Sequence, residues 1–422
     1  MADNKDQSLE DIIADAMKKK HEKETKAENT KESNDTVSAP DTESYKFTYP
    51  DDNEHHEHHH KKTSGHSKNK KGKKKMSAKK KGLIIALVVV GIILGIVIFI
   101  AAAIHHYISK MNLVDPSHKD YIVDSINIDD KTDKPNSPDD MIKSLDERIK
   151  ANLNREGLME SDNVMNILLM GTDARENNER GRSDSMILIS INKETKKIIM
   201  TSFLRDMYVA IPGIGNSRLN HAYSYGGADL AVETVEKNFK IKINRYAQIN
   251  FASFVELVDD VGGVEIDISE DEIQYLNNYL NGINKLEGGT PTEKLTSAGK
   301  QKLDGRQALA YSRIRYVGTD FGRTERQRTV LTKVFEKAKG MSLSEIDDLA
   351  DKLLPLVTTN LTENEIFSLI IKSPSYLNYN LNSCRVPDDD TWENMVIDSM
   401  DVLGIDFDKN QKYLFKNIYN IK

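Results

Sequence analysis

The sequence predicts an α/β domain carried behind a single transmembrane helix and a disordered cytoplasmic arm. Three observations support this. Residues 1–82 are polar, rich in Lys, His, Asp and Ser, with few aromatics. Such a segment lacks the apolar surface that offsets ordering entropy. Residues 83–104, LIIALVVVGIILGIVIFIAAAI, carry no charge and supply the ~20 apolar residues a spanning helix needs. From about Met165 onward, short apolar runs alternate with stretches of helical spacing, the pattern of a layered α/β core.

The flanks set the orientation. Eleven lysines lie between Lys61 and Lys81, whereas His105, His106 and Lys110 follow the span. An excess of Lys before the span places residues 1–82 in the cytoplasm and 105–422 outside, as a single-pass cell-membrane protein. The lysine run suits anionic lipid headgroups. Without aromatic interleaving or a recognisable fold it does not suit nucleic acid, and none is expected as a partner. Within the arm, His55–His60 (HHEHHH) reads as a solvated tract or a weak metal site. Leu9, Ile12, Ile13 and Met17 share one helical face behind a Ser8–Asp11 capping box. Gly91 and Gly95 form a GxxxG, a dimerisation hint. The chain has one cysteine, Cys384, so an intrachain disulfide and a cysteine zinc site are both excluded.

The outer part divides into a polar stalk (105–160) with a helix near Met141–Asn152, a core domain (161–340) and a C-terminal helical extension packed on that core (341–422). Met165–Gly171 reads as a buried strand. Met186–Ile191 and Lys197–Phe203 read as a hairpin. Ala228–Phe239 has helical spacing. RYAQIN, FASFVELVDDVGG and VEIDI read strand, helix, strand, with Gly262–Gly263 ending the helix. Residues 270–300 read as a polar excursion with a short helix. A helix follows Gly322 to about Lys339, and one short strand is expected near Cys384–Pro387.

Charge gathers where these strands end. GTDAR places Asp173 and Arg175 after the first strand. GRSDSM places Arg182 and Asp184 before the second, and SFLRDMYV places Arg205 and Asp206 after the third. Ligands of open α/β sheets bind at such ends. Two carboxylates, Asp173 and Asp184, facing a phosphate suit Mg2+, which takes few protein ligands plus phosphate oxygens. YSRIRYVGTDFGRTERQR (Tyr311–Arg328) adds five arginines, whose forked donors match phosphate. If Tyr311–Tyr316 is extended, Arg313 and Arg315 point the same way. If a helix starts at Gly322, Arg323 and Gln327 stack at i, i+4, with Arg326 beside them and Arg328 on another face. Each Asp–Arg pair alone reads as a cap or plain ion pair; the set on one domain argues for a site.

The ordered run NILLMGTDAR, GRSDSMILISIN, SFLRDMYV, RLNHAYSYGG, FASFVELVDDVGGVEIDI, LDGRQALAYSRIRY, DFGRTERQR resembles the LytR-CpsA-Psr family from about Met165 to Lys339. The resemblance implies an α/β/α sandwich with a hydrophobic tunnel for a prenyl chain. It implies a Mg2+- (or Mn2+-) dependent phosphotransferase moving a glycopolymer, such as teichoic acid or capsule, from polyprenyl pyrophosphate to a peptidoglycan acceptor through a phosphodiester. By motif, Asp173 and Asp184 match the metal ligands. Arg182, Arg205, Arg313, Arg315, Arg323 and Gln327 match the pyrophosphate-binding set. Asp320 matches a general base, acting with Arg205, Arg313 and Arg315 in catalysis, and Asp206 and Arg326 match supporting residues. A Gram-positive envelope is implied.

The implied chemistry is physically consistent. Attack at a pyrophosphate builds charge that fixed guanidinium groups and a metal stabilise. A sugar hydroxyl needs a placed base. The leaving prenyl phosphate needs an apolar slot, for which Phe203, Phe251, Phe254, Val255, Leu257 and Val258 are candidates or plain core. Two other readings remain open on sequence alone: a regulatory protein sensing lipid-linked glycans, and a pyrophosphatase using water as acceptor.

Overall fold

The computed structural model describes residues 105–106, 109–110, 112–115, 132–172, 183–288 and 290–421. The arm with its lysine, His and Leu9–Met17 features, and the span with its GxxxG, lie outside these residues. Among the described residues no helix is long and apolar enough to cross a membrane.

A seven-stranded mixed sheet forms the centre. It is built from β1 (Asn112–Leu113), β2 (Val164–Thr172), β3 (Ser183–Asn192), β4 (Lys197–Phe203), β7 (Arg245–Asn250), β10 (Thr358–Thr359) and β11 (Asn380–Val386). Their spatial order is β1-β10-β7-β2-β3-β4-β11. β2 lies antiparallel to β3 and parallel to β7, and β3 is antiparallel to β4, so the predicted hairpin forms. Burial alternates strictly along β2, as it must when two faces meet different surroundings.

One face of the sheet supplies Leu168, Met170, Met186, Leu188 and Phe203 to a single large core. Helices α1 (Asp139–Leu153), α2 (Leu219–Phe239) and α9 (Phe407–Tyr419) pack there. So do the hairpins β5–β6 (Tyr208–Ile211, Gly215–Arg218) and β12–β13 (Trp392–Ile397, Met400–Ile405). The opposite side carries α3 (Phe251–Asp260), α4 (Glu270–Glu287), α5 (Gly305–Ser312) and α6 (Thr319–Lys339), with the ribbon β8–β9 (Val264–Ile268, Gly299–Leu303). Completing the chain are α7 (Leu343–Leu353) and α8 (Glu363–Tyr376). On this other face of the sheet Ile189, Ile191 and Ile198 pack with Phe335 of α6 and Leu369 and Tyr376 of α8.

Several expectations change. Residues 341–422 are not a purely helical extension. They supply β10, the edge strand β11 and the β12–β13 hairpin. β11 pairs in parallel with β4 from Asn380↔Lys197 to Val386↔Phe203. Its sequence, NLNSCRV, is mostly polar, so alternation revealed only its end near Cys384. Cys384 Sγ lies 3.2 Å from Thr201 Oγ1, and burial pushes its thiol pKa up, opposite to an activated nucleophile. The short helix expected within 270–300 is the 18-residue α4, started by a Ser269–Glu272 capping box. Its inward face (Ile273, Leu276, Leu280, Ile283) is interrupted by NNYLNG, which hides the period. The helix expected from Ala228 begins at Leu219 and breaks at Gly226–Gly227. Tyr311–Tyr316 is not extended: α5 runs to Ser312 and a turn follows.

α5 approaches α3 so closely that a Cβ on Gly305 would sit 2.2 Å from the Val255 carbonyl oxygen. Gly305→Ala is therefore expected to destabilise the domain by about 1–3 kcal/mol. Gly282, inside α4 with nothing within 4 Å of an added Cβ, gains about 1 kcal/mol as Ala. Thermal melts of the two variants check the contrast.

Candidate active site

β2, β4 and β7 end at the edge where β3 begins, and charged residues collect there. Ser183 pairs with Thr172 and Ser185 with Gly171. Asp184 is thus the extra residue of a β-bulge, the device that re-aims a side chain at a sheet end. Arg205 and Asp206 follow β4 in a segment fixed at both sides. Leu204 N–H donates to Val386 O, Asn220 N–H to Arg205 O, and Leu403 N–H to Asp206 O. Leu204 and Met207, both fully buried, anchor this segment in the core. Arg218 closes β6 and caps α2.

Arg313 is the C-cap of α5, and Arg315 sits in the following turn. Gly318 (φ 80°) and Thr319 (φ 58°) then turn the chain into α6, three residues earlier than expected. Asp320 falls in its first turn, where the helix dipole favours a carboxylate. Arg323 and Gln327 stand one turn apart on α6, as the spacing predicted.

These side chains form one network. Arg205 Nη1 donates to Asp184 Oδ1 at 2.8 Å, and its Nε lies 3.4 Å from Asp206 Oδ2 and 3.6 Å from Asp320 Oδ1. Arg323 Nη2 reaches both Asp320 oxygens, at 2.7 and 2.9 Å, and its Nη1 is 3.9 Å from Asp184. Arg315 Nη2 is 3.6 Å from Asp184 Oδ2. Arg218 Nη1 donates to Asp206 Oδ1 at 3.0 Å, and His221 packs beside it with Nε2 3.2 Å from Nη2.

Burial raises the Asp184 carboxyl, but Arg323, Arg205 and Arg315 outweigh it and hold the pKa below the ordinary 3.8. At Asp206 burial wins, and the pKa is raised. Burial also lowers Arg323, which is only 2% exposed, against the pull of Asp320. Among the described residues four guanidinium groups (Arg205, Arg218, Arg315, Arg323) meet three carboxylates (Asp184, Asp206, Asp320), and Arg313 adds a fifth on the cleft wall, an excess that suits an anion. Arg323 Nε and Nη1, Arg205 Nε and Gln327 Oε1 are buried without a hydrogen-bond partner among the described residues.

A cleft of ≈ 190 Å³ opens on this network. Asp184, Arg313, Arg315, Arg323 and Gln327 line its polar end. Leu169, Ile187, Ile249, Phe251, Phe254, Leu309 and Leu331 line the rest. Arg313 lies over the Phe251 ring at 4.8 Å, holding its guanidinium between the two ends. Arg205 and Asp320 adjoin the polar end through their contacts with Asp184 and Arg323.

Asp173, Arg175 and Arg182 lie outside the described residues. Asp184, Arg205, Arg313, Arg315, Asp320, Arg323 and Gln327 come together. Asp206 touches Arg205 and makes its shorter contact with Arg218. Arg326 turns away, donating to Glu272 Oε1 at 2.7 Å and to Ile314 O at 3.3 Å, and Arg328 is buried outside the cleft lining. Of the proposed apolar slot, Phe251 and Phe254 line the cleft. Phe203 belongs to the core of the other face, Val258 to the core beneath α3, and Val255 and Leu257 do not line it. Sequence reasoning missed Arg218, which follows the polar stretch Gly215–Ser217 rather than an apolar run and so carries no strand-end signal. It also missed Asn250, Ser312 and Tyr279 in the cleft wall.

Among the described residues no group of three or more His, Cys, Asp or Glu is placed to hold a metal. Asp184 nonetheless fits a shared site. Its Oδ1 is taken by Arg205, while Oδ2 meets Arg315 only at 3.6 Å, leaving an oxygen on the cleft for a hard cation that also takes ligand phosphate.

The pairing has a pH signature. A carboxyl held below its unfolded pKa adds stability that is present above that value and lost as pH falls through the folded one. Asp206 has the opposite sign: its ionised form is disfavoured in the fold, a cost relieved on acidification. From about pH 7 to about pH 2, Asp184→Asn is therefore expected to lose less stability than the native chain. Urea unfolding at each pH measures it; an unchanged acid limb would refute the pairing.

The chain is similar in sequence and fold to known proteins. The LytR_cpsA_psr family pattern matches residues 123–416. The polyisoprenyl-teichoic acid–peptidoglycan teichoic acid transferase TagU of Bacillus cereus is 37% identical over 209 residues, 49% of this chain and 63% of the relative. TagT of Bacillus subtilis, of the same description, is 34% identical over 208 residues, 48% of this chain and 62% of the relative. The match thus spans less than two thirds of either relative. A solved structure of TagT bound to LIIa-WTA superposes with a TM-score of 0.50 at 27% identity, covering 64% of this chain and 94% of that one. With the family pattern spanning most of its length, the chain belongs to the LytR-CpsA-Psr family.

Proposed function

We propose that the protein is a membrane-anchored phosphotransferase that moves a glycopolymer from a polyprenyl pyrophosphate carrier to peptidoglycan, leaving a phosphodiester. The observation that carries this reading is the amphiphilic cleft: guanidinium donors without partners among the described residues at one end, an apolar wall at the other, in one cavity. A pyrophosphate joined to a prenyl chain has that same division. The names of the relatives support the polymer class.

Arg313, Arg315 and Arg323 bind the pyrophosphate and stabilise charge on its non-bridging oxygens, joined by Arg182. The apolar wall around Phe251 and Phe254 receives the first prenyl units and excludes water. Phosphate oxygens compete with Asp320 for Arg323, which frees the Asp320 carboxylate to accept the proton of the incoming sugar hydroxyl. That hydroxyl oxygen bonds to the sugar-bearing phosphorus, and the bond to the prenyl phosphate breaks, its electron pair leaving with the prenyl phosphate. Arg205, braced by Asp184, Asp206 and Asp320, offsets the repulsion among these three acids. Asp184, with Asp173 by its motif, would hold Mg2+, which would supply Lewis-acid neutralisation of the pyrophosphate. The uncharged stretch 83–104 and the lysines before it are the sequence features that support the membrane anchor.

Full-length protein in detergent, given a prenyl-pyrophosphate-linked saccharide, Mg2+ and peptidoglycan oligomers, tests the proposal by mass spectrometry. A phosphodiester-linked adduct that requires the acceptor is expected. Arg313→Ala is expected to slow its formation on the order of 10²–10³-fold with an unchanged circular dichroism spectrum. Sugar phosphate released with or without acceptor would replace transfer by hydrolysis, and tight binding without turnover would leave a sensor.

A further inference from the structure

Beside the charged end of the cleft, α4 carries two tyrosines that the phosphotransfer reading does not use. Tyr275 and Tyr279 are spaced i, i+4 and share a face of the helix. Tyr279 lines the cleft, and the Arg313 guanidinium lies 5.7 Å from its ring centroid. One turn away, Tyr275 stacks on Tyr316, with centroids 5.3 Å apart and planes inclined by 19°. Tyr316 directly follows Arg315 and is 76% exposed. It is the most exposed large hydrophobic side chain among the described residues. Tyr275 covers one face of its ring, and the other faces water.

These groups form a track. It runs from Phe251 through Arg313 and Tyr279 to Tyr275 and Tyr316, from the cleft wall to the surface. Leaving a flat ring in solvent contributes little to folding, since most of its area stays wet. A held, open aromatic face does offer a binding surface: its electron-rich π-cloud attracts weakly positive groups. The polarised C–H face of a sugar ring is such a group, and its hydroxyl edges stay in water. A sugar joined to a phosphate beside Arg315 falls within one residue of this ring.

We propose that the stacked Tyr316–Tyr275 pair is a saccharide subsite, seating a sugar ring next to the phosphoryl group bound by Arg313 and Arg315. The proposal rests on the transferase reading and names where its sugar is held. Its ligand chemistry is a pyranose face, which either the donor glycopolymer or the acceptor glycan presents.

Calorimetric titration of the full-length protein in detergent tests it with three probes: farnesyl pyrophosphate, a farnesyl-pyrophosphate-linked disaccharide, and soluble glycan oligomers cut from peptidoglycan. Tyr316→Ala is expected to bind a saccharide probe about tenfold more weakly and farnesyl pyrophosphate as the native chain does. Tyr316→Phe is expected to retain native affinity, because the ring and not the hydroxyl makes the contact. A loss confined to the lipid-linked disaccharide assigns the ring to the donor; a loss confined to the glycan oligomers assigns it to the acceptor. Unchanged saccharide binding in Tyr316→Ala, or an equal loss for sugar-free farnesyl pyrophosphate, overturns the subsite and leaves the transferase reading standing. If the native chain binds none of the probes, both fall.

Discussion

A guanidinium group with 2% of its surface exposed must be neutralised inside the protein, and Arg323 imposes that condition on everything around it. Asp320, one turn earlier on α6, meets it most closely, with Asp184 farther off. Asp184 reaches that position because β3 bulges, and it also accepts from Arg205. Arg205 in turn stands between Asp184, Asp206 and Asp320. Removing one partner from such a set leaves an uncompensated buried charge, which is more costly than never having buried the pair. The sheet edge, the start of α6 and the segment after β4 are therefore held in mutual register by charge.

The same network leaves work undone. Among the described residues Arg323 keeps Nε and Nη1 without hydrogen-bond partners, and Gln327 keeps an unpartnered oxygen. Buried donors in that condition are costly unless a ligand completes them. The cleft lets a ligand in from the side where the sheet presents Leu169, Ile187 and Ile249. Hydrogen-bond deficit and apolar wall thus sit within one cavity, so one molecule with a charged head and an apolar tail satisfies both.

Much of this was legible in the sequence. Apolar runs marked β2, β3, β4, β7 and β8, and helical spacing marked α3 and the second half of α2. The i, i+4 relation of Arg323 and Gln327 survived intact. What escaped was encoded in tertiary contacts. β11 is a polar edge strand whose identity depends on pairing with β4. The bulge at Asp184 exists only in register with Gly171 and Thr172. Arg313 and Arg315 converge through a helix end and a turn, although an extended segment would have aligned them too. Arg326 carries the same local signal as Arg323, and only its packing against Glu272 and Tyr311 separates a buried ion pair from a ligand contact.

The central claim is that the cleft binds a pyrophosphate headgroup and an apolar tail together. Titrating the full chain with farnesyl pyrophosphate, farnesyl phosphate and farnesol by calorimetry tests it most directly. The account predicts saturable binding that weakens in that order, falls as salt rises and is lost for the pyrophosphate in Arg323→Ala. Farnesol binding as tightly as farnesyl pyrophosphate, or pyrophosphate binding untouched by Arg323→Ala, would contradict it.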